Sequence, residues 1–595
     1  LSTAILTGQP VPGSSIEGDL RSLGFDVRIA ADTADAEALL AQVPGDQRAA
    51  VVDARFVGHV HALRLGLTDP RFPLAAVPGA VTAQPAGRQA LTRAVARENS
   101  AGGGTAVAVD SLADRIVTAL AADGTDVHRP ELGSLVAEVP ADPQARNEAR
   151  QAVAAVDDEA VRLKSAVKAR DGFFTTYCIS PYSRYIARWC ARRGLTPNQV
   201  TTASLITALI AAGCAATGTR EGFVAAGILL IFSFVLDCTD GQLARYSLQY
   251  STLGAWLDAT FDRAKEYAYY AGLALGAARG GEDVWALALG AMVLQTCRHV
   301  VDFSFNEANH DATANTSPTA ALSDKLDSVG WTVWVRRMIV LPIGERWAMI
   351  AVLTAVTTPR ITFYALLIGC AFAATYTTAG RVLRSLTRKA RRTDRAAQAL
   401  ADLADNGPLA SLVAHATRAR LGTPLLVALA GTIVLAVSLF SGATWAPVAG
   451  AVVYTITAGQ ALYRPLKGSL DWLVPPLFRA AEYGTVLVLA AQADVNGALP
   501  AAFGLVAAVA YHHYDTVYRI RGNAGAPPAW LVRAIGGHEG RTLLVTVLAA
   551  VLTASQFKVA LTVLAVAVAL VVLVESIRFW ASSGAPAVHD EGEPA

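Results

Sequence analysis

Four aspartates in the stretch VLDCTDGQLARYSLQYSTLGAWLDATFDRAKEY, residues 235–267, have the type and spacing to do chemistry. Asp237 and Asp240 are three positions apart, and Asp258 and Asp262 are four apart. On a helix such spacings fall on one face, so two helices would each present a pair of carboxylates. Gly241 and Gly254 remove side chains from those faces and let a helix or a ligand come close. Four carboxylates in an apolar setting do not stay ionised together without cations. Hard divalent ions with oxygen ligands, Mg²⁺, Mn²⁺ or Ca²⁺, meet that need. Such a set could hold two ions roughly 3.5–4 Å apart, clamping a phosphoryl group. The plainer alternative is a set of helix-end carboxylates paired with Arg245, Arg263 and Lys265. Four in register, with small residues between them, favour metal.

The elements that must position these residues read as membrane helices. The chain has 595 residues, 53% hydrophobic and 16% charged, with a mean hydropathy of +0.38. That composition points to an integral membrane protein, and a net charge of +2 gives no reason to expect a nucleic-acid partner. The six cysteines never form CxxC, so packing roles are expected, not a disulfide framework or a zinc site. The first residues, LSTAILTG, lack a basic region and a long apolar core, so no signal peptide is expected.

From about residue 199 apolar runs dominate. Candidate spans are 199–218, 222–240, 256–278, 283–303, 345–358 and 361–384, then 424–441, 446–462, 474–493, 497–515, 541–556 and 559–579. A span needs about 20 apolar residues, and several of these are shorter; twelve, as six plus six, is the expectation. Arg184, Arg188, Arg192 and Arg193 precede the first span. Arg298, Lys325, Arg336, Arg337 and Arg346 flank the loop after the fourth, and Arg381, Arg384, Arg388, Lys389, Arg391 and Arg392 follow the sixth. The alternate loops hold only Arg220, Arg279 and Arg360. The positive-inside rule then places both ends of each half, and the aspartates, on the cytoplasmic side. Residues 180–194, SPYSRYIARWCARRG, read as an interfacial amphipathic helix or a cytoplasmic one.

Residues 1–135 read as a soluble α/β domain, with FDVRIA and RAAVVDA as strands and TADAEALLAQV and VGHVHALRLGL as helices. LTGQPVPGSS sits where a phosphate loop could lie but has neither GxGxxG nor GxxxxGK[ST]. The domain faintly resembles the start of sugar nucleotidyltransferases without their basic signature, so a degenerate regulatory or docking domain is expected. Residues 136–170 read as a solvated helical linker, 396–423 as a basic linker, and 586–595 as a disordered tail.

The pattern DxxDGxxAR, eight residues, GxxxDxxxD is similar to the signature of CDP-alcohol phosphotransferases. It is matched at Asp237, Asp240, Gly241, Ala244, Arg245, Gly254, Asp258 and Asp262. LTPNQVT (195–201) also looks like the family's lead-in to its first span, and LPIGER (341–346) recurs in some members. The resemblance covers about 171–395 and implies a juxtamembrane helix followed by six transmembrane helices. It implies that Asp237, Asp240, Asp258 and Asp262 bind two Mg²⁺ or Mn²⁺ ions, which hold the pyrophosphate of a CDP-alcohol donor. Gly241, Ala244, Arg245 and Gly254, with Pro197 and Asn198, would line the nucleotide. Asp262 would be the general base on an acceptor hydroxyl, with CMP leaving. The donor would be CDP-diacylglycerol or a CDP-polyol. RDGFFTTYCISPYSRYIAR resembles the lead-in of members that use inositol phosphates or related polyol phosphates, and Lys265, Arg298, Arg336 and Arg337 are candidates for the acceptor phosphate. Each has the alternative of an anchor or an ion-pair partner.

A second, broken copy is visible further on. WLDATFDRAKEY (256–267) lies in register with WLVPPLFRAAEY (472–483), with Val474 and Phe478 at the positions of Asp258 and Asp262. DCTDGQLAR (237–245) lies on TITAGQALY (455–463), with Thr455 and Ala458 for Asp237 and Asp240. Residues 424–585 are therefore expected to be a diverged duplicate without a metal site, acting as an internal partner where relatives pair as homodimers. Two other classes fit parts of the pattern. A twelve-helix transporter would place its carboxylates nearer the midplane, and a scaffold with a relict site would not need the full signature.

Overall fold

The computed structural model describes residues 2–9, 11–100, 111–168, 171–312, 334, 338–387, 390–417 and 422–582. The chain is mostly helical, with one α/β region at its N-terminal end. There a five-stranded sheet runs in the order Phe25–Ala30, Ser2–Thr7, Ala49–Asp53, Ala80–Ala83, Leu74–Val77. The first three strands are parallel and the last two antiparallel. The central strand, Ala49–Asp53, is buried along its whole length, which is why it reads as a continuous apolar run. Ile5, Val51, Leu91 and Ile116 pack on one face of the sheet, and Leu6, Val52, Leu20 and Leu63 on the other.

Each predicted span coincides with a helix. The first six are Pro197–Ala216, Arg220–Ser247, Thr252–Arg279, Trp285–Asn309, Ile343–Val356 and Pro359–Thr387. The later ones are Pro424–Leu439, Ala446–Ala461, Val474–Gln492, Ala498–Arg521, Gly537–Val551 and Ala554–Ser582. Among the described residues, five helices are long and apolar enough to cross a membrane. The others fall short for visible reasons. Thr252–Arg279 carries Arg263, Lys265 and Glu266 inside, and Ile343–Val356 has only 14 residues. Large apolar side chains such as Ile228, Ile368, Phe372, Val437, Phe440 and Leu570 point outward, a pattern suited to lipid and not to water. The chain is built as an integral membrane protein.

Turn chemistry joins these helices closely. Thr196 caps Pro197–Ala216 in a reciprocal box with Gln199, and Ser251 accepts a hydrogen bond from the Gly254 amide at 2.9 Å. Between Arg220–Ser247 and Thr252–Arg279 only residues 248–251 intervene, with Leu248 left-handed at φ 52°. Helix Ser180–Arg192 buries Ser183, Ala187 and Cys190 and exposes Tyr182, Tyr185 and Trp189, an amphipathic division suited to an interface.

Both linkers differ from their expected form. Within 136–170, Pro143–Ala154 is helical and largely exposed, whereas Asp158–Ser165 packs Val161 against the α/β region's core, and Leu163 and Ala166 pack with Tyr246. Within 396–423, helices Asp394–Ala404 and Pro408–Thr417 bury Leu400, Leu403 and Ala410 among the later helices. The apolar stripe of Asp394–Ala404, with Ala396, Ala397, Leu400 and Leu403 buried, is what docks that helix. The expected disordered tail, 586–595, lies outside the described residues.

The two sets of helices pack on each other through Trp285–Asn309, which meets Val474–Gln492 and Ala498–Arg521. Aromatic pairs mark the seam: Trp285 with Phe503 at 5.7 Å, Phe305 with Trp472 at 5.2 Å and Trp256 with Trp580 at 6.2 Å. The Arg263 guanidinium lies 5.2 Å from the Tyr514 ring centre, across the seam.

Candidate active site

Asp237, Asp240 and Asp258 come together, each offering a carboxylate oxygen within 4.8 Å of the others. The first two sit on Arg220–Ser247 and the third on Thr252–Arg279, across the short turn. Asp240 is buried, and its Oδ2 has no hydrogen-bond partner among the described residues. A buried oxygen of that kind is unfavourable unless something binds it. Three converging hard oxygen donors, one of them orphaned, fit a divalent cation.

Asp262 stands beside this group. Its Oδ1 is 2.9 Å from the ammonium of Lys265, which also pairs with Asp237 and donates to Ser204 Oγ at 3.2 Å. Lys265 is only 1% exposed. It thus sits between two carboxylates, the ion-pair alternative among its expected roles. Ser204 is held in turn by donating to the Ser233 carbonyl at 2.9 Å, so three helices meet at this ammonium.

The expected nucleotide-lining residues gather on the same side. A Cβ at Gly254 would fall 2.7 Å from Asn198 Oδ1, so glycine is what lets the second aspartate helix start against the helix begun by Pro197. Gly241 differs. A Cβ there would meet only the Arg245 guanidinium, at 3.5 Å. Protein packing does not require glycine at 241, and the space above it is open to a ligand. Ala244 is buried, and Arg245 Nε donates to the Ala166 carbonyl at 2.6 Å.

Of the expected acceptor-side cations, Arg298 is buried and donates through Nη2 to the Val340 carbonyl. Arg336 and Arg337 lie outside the described residues. Arg346, expected as a loop charge, is 2% exposed and faces Glu266. Sequence reasoning missed this bridge. Arg263 Nη1 meets Glu266 Oε2 at 2.8 Å, and Arg346 reaches the same carboxylate with Nε–Oε1 and Nη2–Oε2 both at 3.3 Å. The Arg263–Glu266 spacing is legible on a helix; the third member, 80 residues on, leaves no local trace.

The later helices hold the same bridge. Arg479 Nη1 meets Glu482 Oε2 at 2.8 Å, and Arg541 reaches Glu482 with Nε–Oε1 at 2.5 Å and Nη2–Oε2 at 3.3 Å. A second parallel is a carboxylate latch. Glu345 accepts from the Phe174 amide at 3.3 Å, and Glu539 from the Gly407 and Ala410 amides at 3.0 Å each. Where the first set has its aspartates, the second has buried Thr455, Ala458, Val474 and Phe478. Phe478 stacks on His538 at 4.3 Å, and His538 Nδ1 shares a 2.7 Å hydrogen bond with the Tyr454 hydroxyl. Asp405 closes this interior with Arg541 at 2.7 Å and His512 at 3.1 Å.

The family model described as CDP-alcohol phosphatidyltransferase matches residues 194–373. The stretch that holds the four aspartates is thus similar to the CDP-alcohol phosphatidyltransferase family. Residues 394–595 match a family of unknown function (DUF5941), so the second match begins at the helices read as linker. The phosphatidylinositol phosphate synthase of Streptomyces avermitilis is 32% identical over 130 residues, 21% of this chain and 51% of that protein. The archaetidylinositol phosphate synthase of Pyrococcus horikoshii is 35% identical over 91 residues, 15% of this chain and 47% of that protein. The bifunctional IPC transferase and DIPP synthase of Aquifex aeolicus is 32% identical over 114 residues, 19% of this chain and 26% of that protein. The chain thus spans about half or less of the length of these curated relatives.

Proposed function

We propose that this protein transfers a phosphoalcohol group from a CDP-alcohol donor to the hydroxyl of a polyol phosphate, releasing CMP. The observation that carries this is the convergence of Asp237, Asp240 and Asp258, with an orphaned oxygen on Asp240, inside the matched domain. The inositol phosphate synthases among its relatives support a phosphorylated polyol as acceptor.

Asp237, Asp240 and Asp258 would hold Mg²⁺ or Mn²⁺, as one ion or a pair with Asp262. When bound, the metal offsets charge on the donor pyrophosphate. Gly241 leaves room for the nucleotide, and Arg245 sets a cation beside it. The acceptor oxygen forms its bond to the β-phosphorus as the bond to CMP breaks, and Asp262 takes the hydroxyl proton. Lys265 orients Asp262 and balances the charge of Asp237. Arg298 would face the acceptor phosphate from the fourth helix, with Arg336 and Arg337 as further candidates. The site would open to the cytoplasm from a bacterial plasma membrane.

We also infer that 394–585 is a degenerate duplicate of 171–387, on the shared Arg–Glu–Arg bridge and the shared latch. It serves as a built-in partner packed against Trp285–Asn309, in place of a homodimer. A soluble domain over 1–135 precedes both. Incubating the purified protein with Mg²⁺, a panel of CDP-alcohols and a panel of polyol phosphates tests the activity. CMP release that needs both substrates and the metal is expected; none with any pair would overturn it.

A further inference from the structure

The soluble domain and its bracket of helices grip the turn between the two aspartate helices. Arg162, on Asp158–Ser165, donates from Nε to the Tyr246 carbonyl at 2.8 Å, and its guanidinium lies 3.5 Å from the centre of the Tyr246 ring. Burial pushes Arg162 down to about 10, so it remains a cation at neutral pH. The Tyr246 hydroxyl donates to Glu159 at 2.9 Å. Leu163, Ala166 and Tyr246 form one buried apolar cluster. From the sheet domain, Arg71 lies 4.2 Å from the centre of the Tyr250 ring and is itself fixed by Asp69 at 2.8 Å. The Arg245 Nε bond to Ala166 belongs to the same grip.

These contacts fall on residues 245–250, the segment that sets the spacing of the aspartate helices and the aim of Arg245. An apolar docking surface would need only the Leu163–Tyr246 cluster. Here Arg162 meets both the backbone carbonyl and the ring face of one tyrosine, and Glu159 accepts from its hydroxyl. Small displacements of groups that hold a ligand or its shell are costly.

We propose that the soluble domain is a positioning clamp for the transferase site, with Arg162, Glu159 and Arg71 as positioning residues that act through Tyr246, Tyr250 and Arg245. This rests on the transferase reading above. It gives the N-terminal domain a task that needs no phosphate loop of its own.

The test uses the full chain and the variants Arg162→Ala, Arg162→Lys, Arg71→Ala and Tyr246→Phe. Two quantities are read: Mg²⁺-dependent binding of CDP, and backbone hydrogen exchange over 244–254. Arg162→Ala is expected to bind CDP roughly ten-fold more weakly and to exchange faster at the turn, with an unchanged thermal midpoint. Arg162→Lys, which keeps a cation over the ring, restores part of the affinity. Should Arg162→Ala unfold, Arg71→Ala and Tyr246→Phe decide, each with a loss of about three-fold or more. Wild-type affinity in these variants, in a protein that binds CDP, overturns the clamp and leaves the transferase reading standing. A wild type that binds no CDP with Mg²⁺ overturns both.

Discussion

The two helical sets share a frame and differ at its centre. Arg263, Glu266 and Arg346 meet through the same atoms as Arg479, Glu482 and Arg541. Around the first bridge stand four aspartates and a lysine that pairs two of them. Around the second, Phe478, His538 and Tyr454 close the space with stacked rings and a shared hydrogen bond. The frame therefore stands without the aspartates. Arg–Glu–Arg recurs in both sets, and the task proposed for the aspartates has no counterpart among the residues of the second.

The largest effects should come from breaking that difference. Asp262→Asn is expected to lower CMP release by about 10²–10⁴-fold while CDP binding with Mg²⁺ persists. Asp240→Asn or chelation of the metal should remove both, as read by CMP assay and calorimetry. Next comes the shared frame. Arg479→Ala leaves Glu482 and Asp405 short of a buried partner and should destabilise by about 3–5 kcal/mol, and Arg263→Ala should do the same beside Glu266. Thermal unfolding in detergent checks this; if only the first set is sensitive, the frames are not equivalent. A smaller loss, about 1–3 kcal/mol, is expected for Gly407→Ala, whose Cβ would fall 2.2 Å from the Gly536 carbonyl oxygen. Gly241→Ala should leave the thermal midpoint unmoved and weaken CDP binding, because among the described residues a Cβ there would meet only the Arg245 guanidinium, at 3.5 Å. Ala458→Asp should confer no metal-dependent CDP binding and should lower the thermal midpoint, because it places a carboxylate at a fully buried position.

Much of this was legible in the sequence because helices print a period. The spacing of Asp237 with Asp240, and of Asp258 with Asp262, put each pair on one face, and the Trp–Arg–Glu–Tyr pattern at 472–483 pointed to the Arg–Glu pair shared with 256–267. What stayed hidden depends on partners far apart in the chain. Lys265 could be seen near the aspartates, but not that its ammonium bridges Asp237 and Asp262. Arg346 reads as a loop charge until Glu266 is found opposite it. Asp394–Ala404 does carry an apolar stripe, Ala396, Ala397, Leu400 and Leu403, but a stripe of 11 residues does not say which neighbour covers it.

The crossing of Gly407 with Gly536 and Gly537 sets an order of assembly. A Cβ on Gly537 would fall 2.1 Å from the Gly407 nitrogen, so the strands of backbone meet without side chains between them. The Glu539 carboxylate that seals this crossing lies 132 residues after the amide it holds. As the chain emerges from the ribosome, the amides of Gly407 and Ala410 must wait for nearly the whole second set before they can lock. A latch of such long loop closure forms late. A chain ending before Gly536 is expected to leave 407–417 open to protease while the first set, whose own latch is already complete at Glu345, is protected.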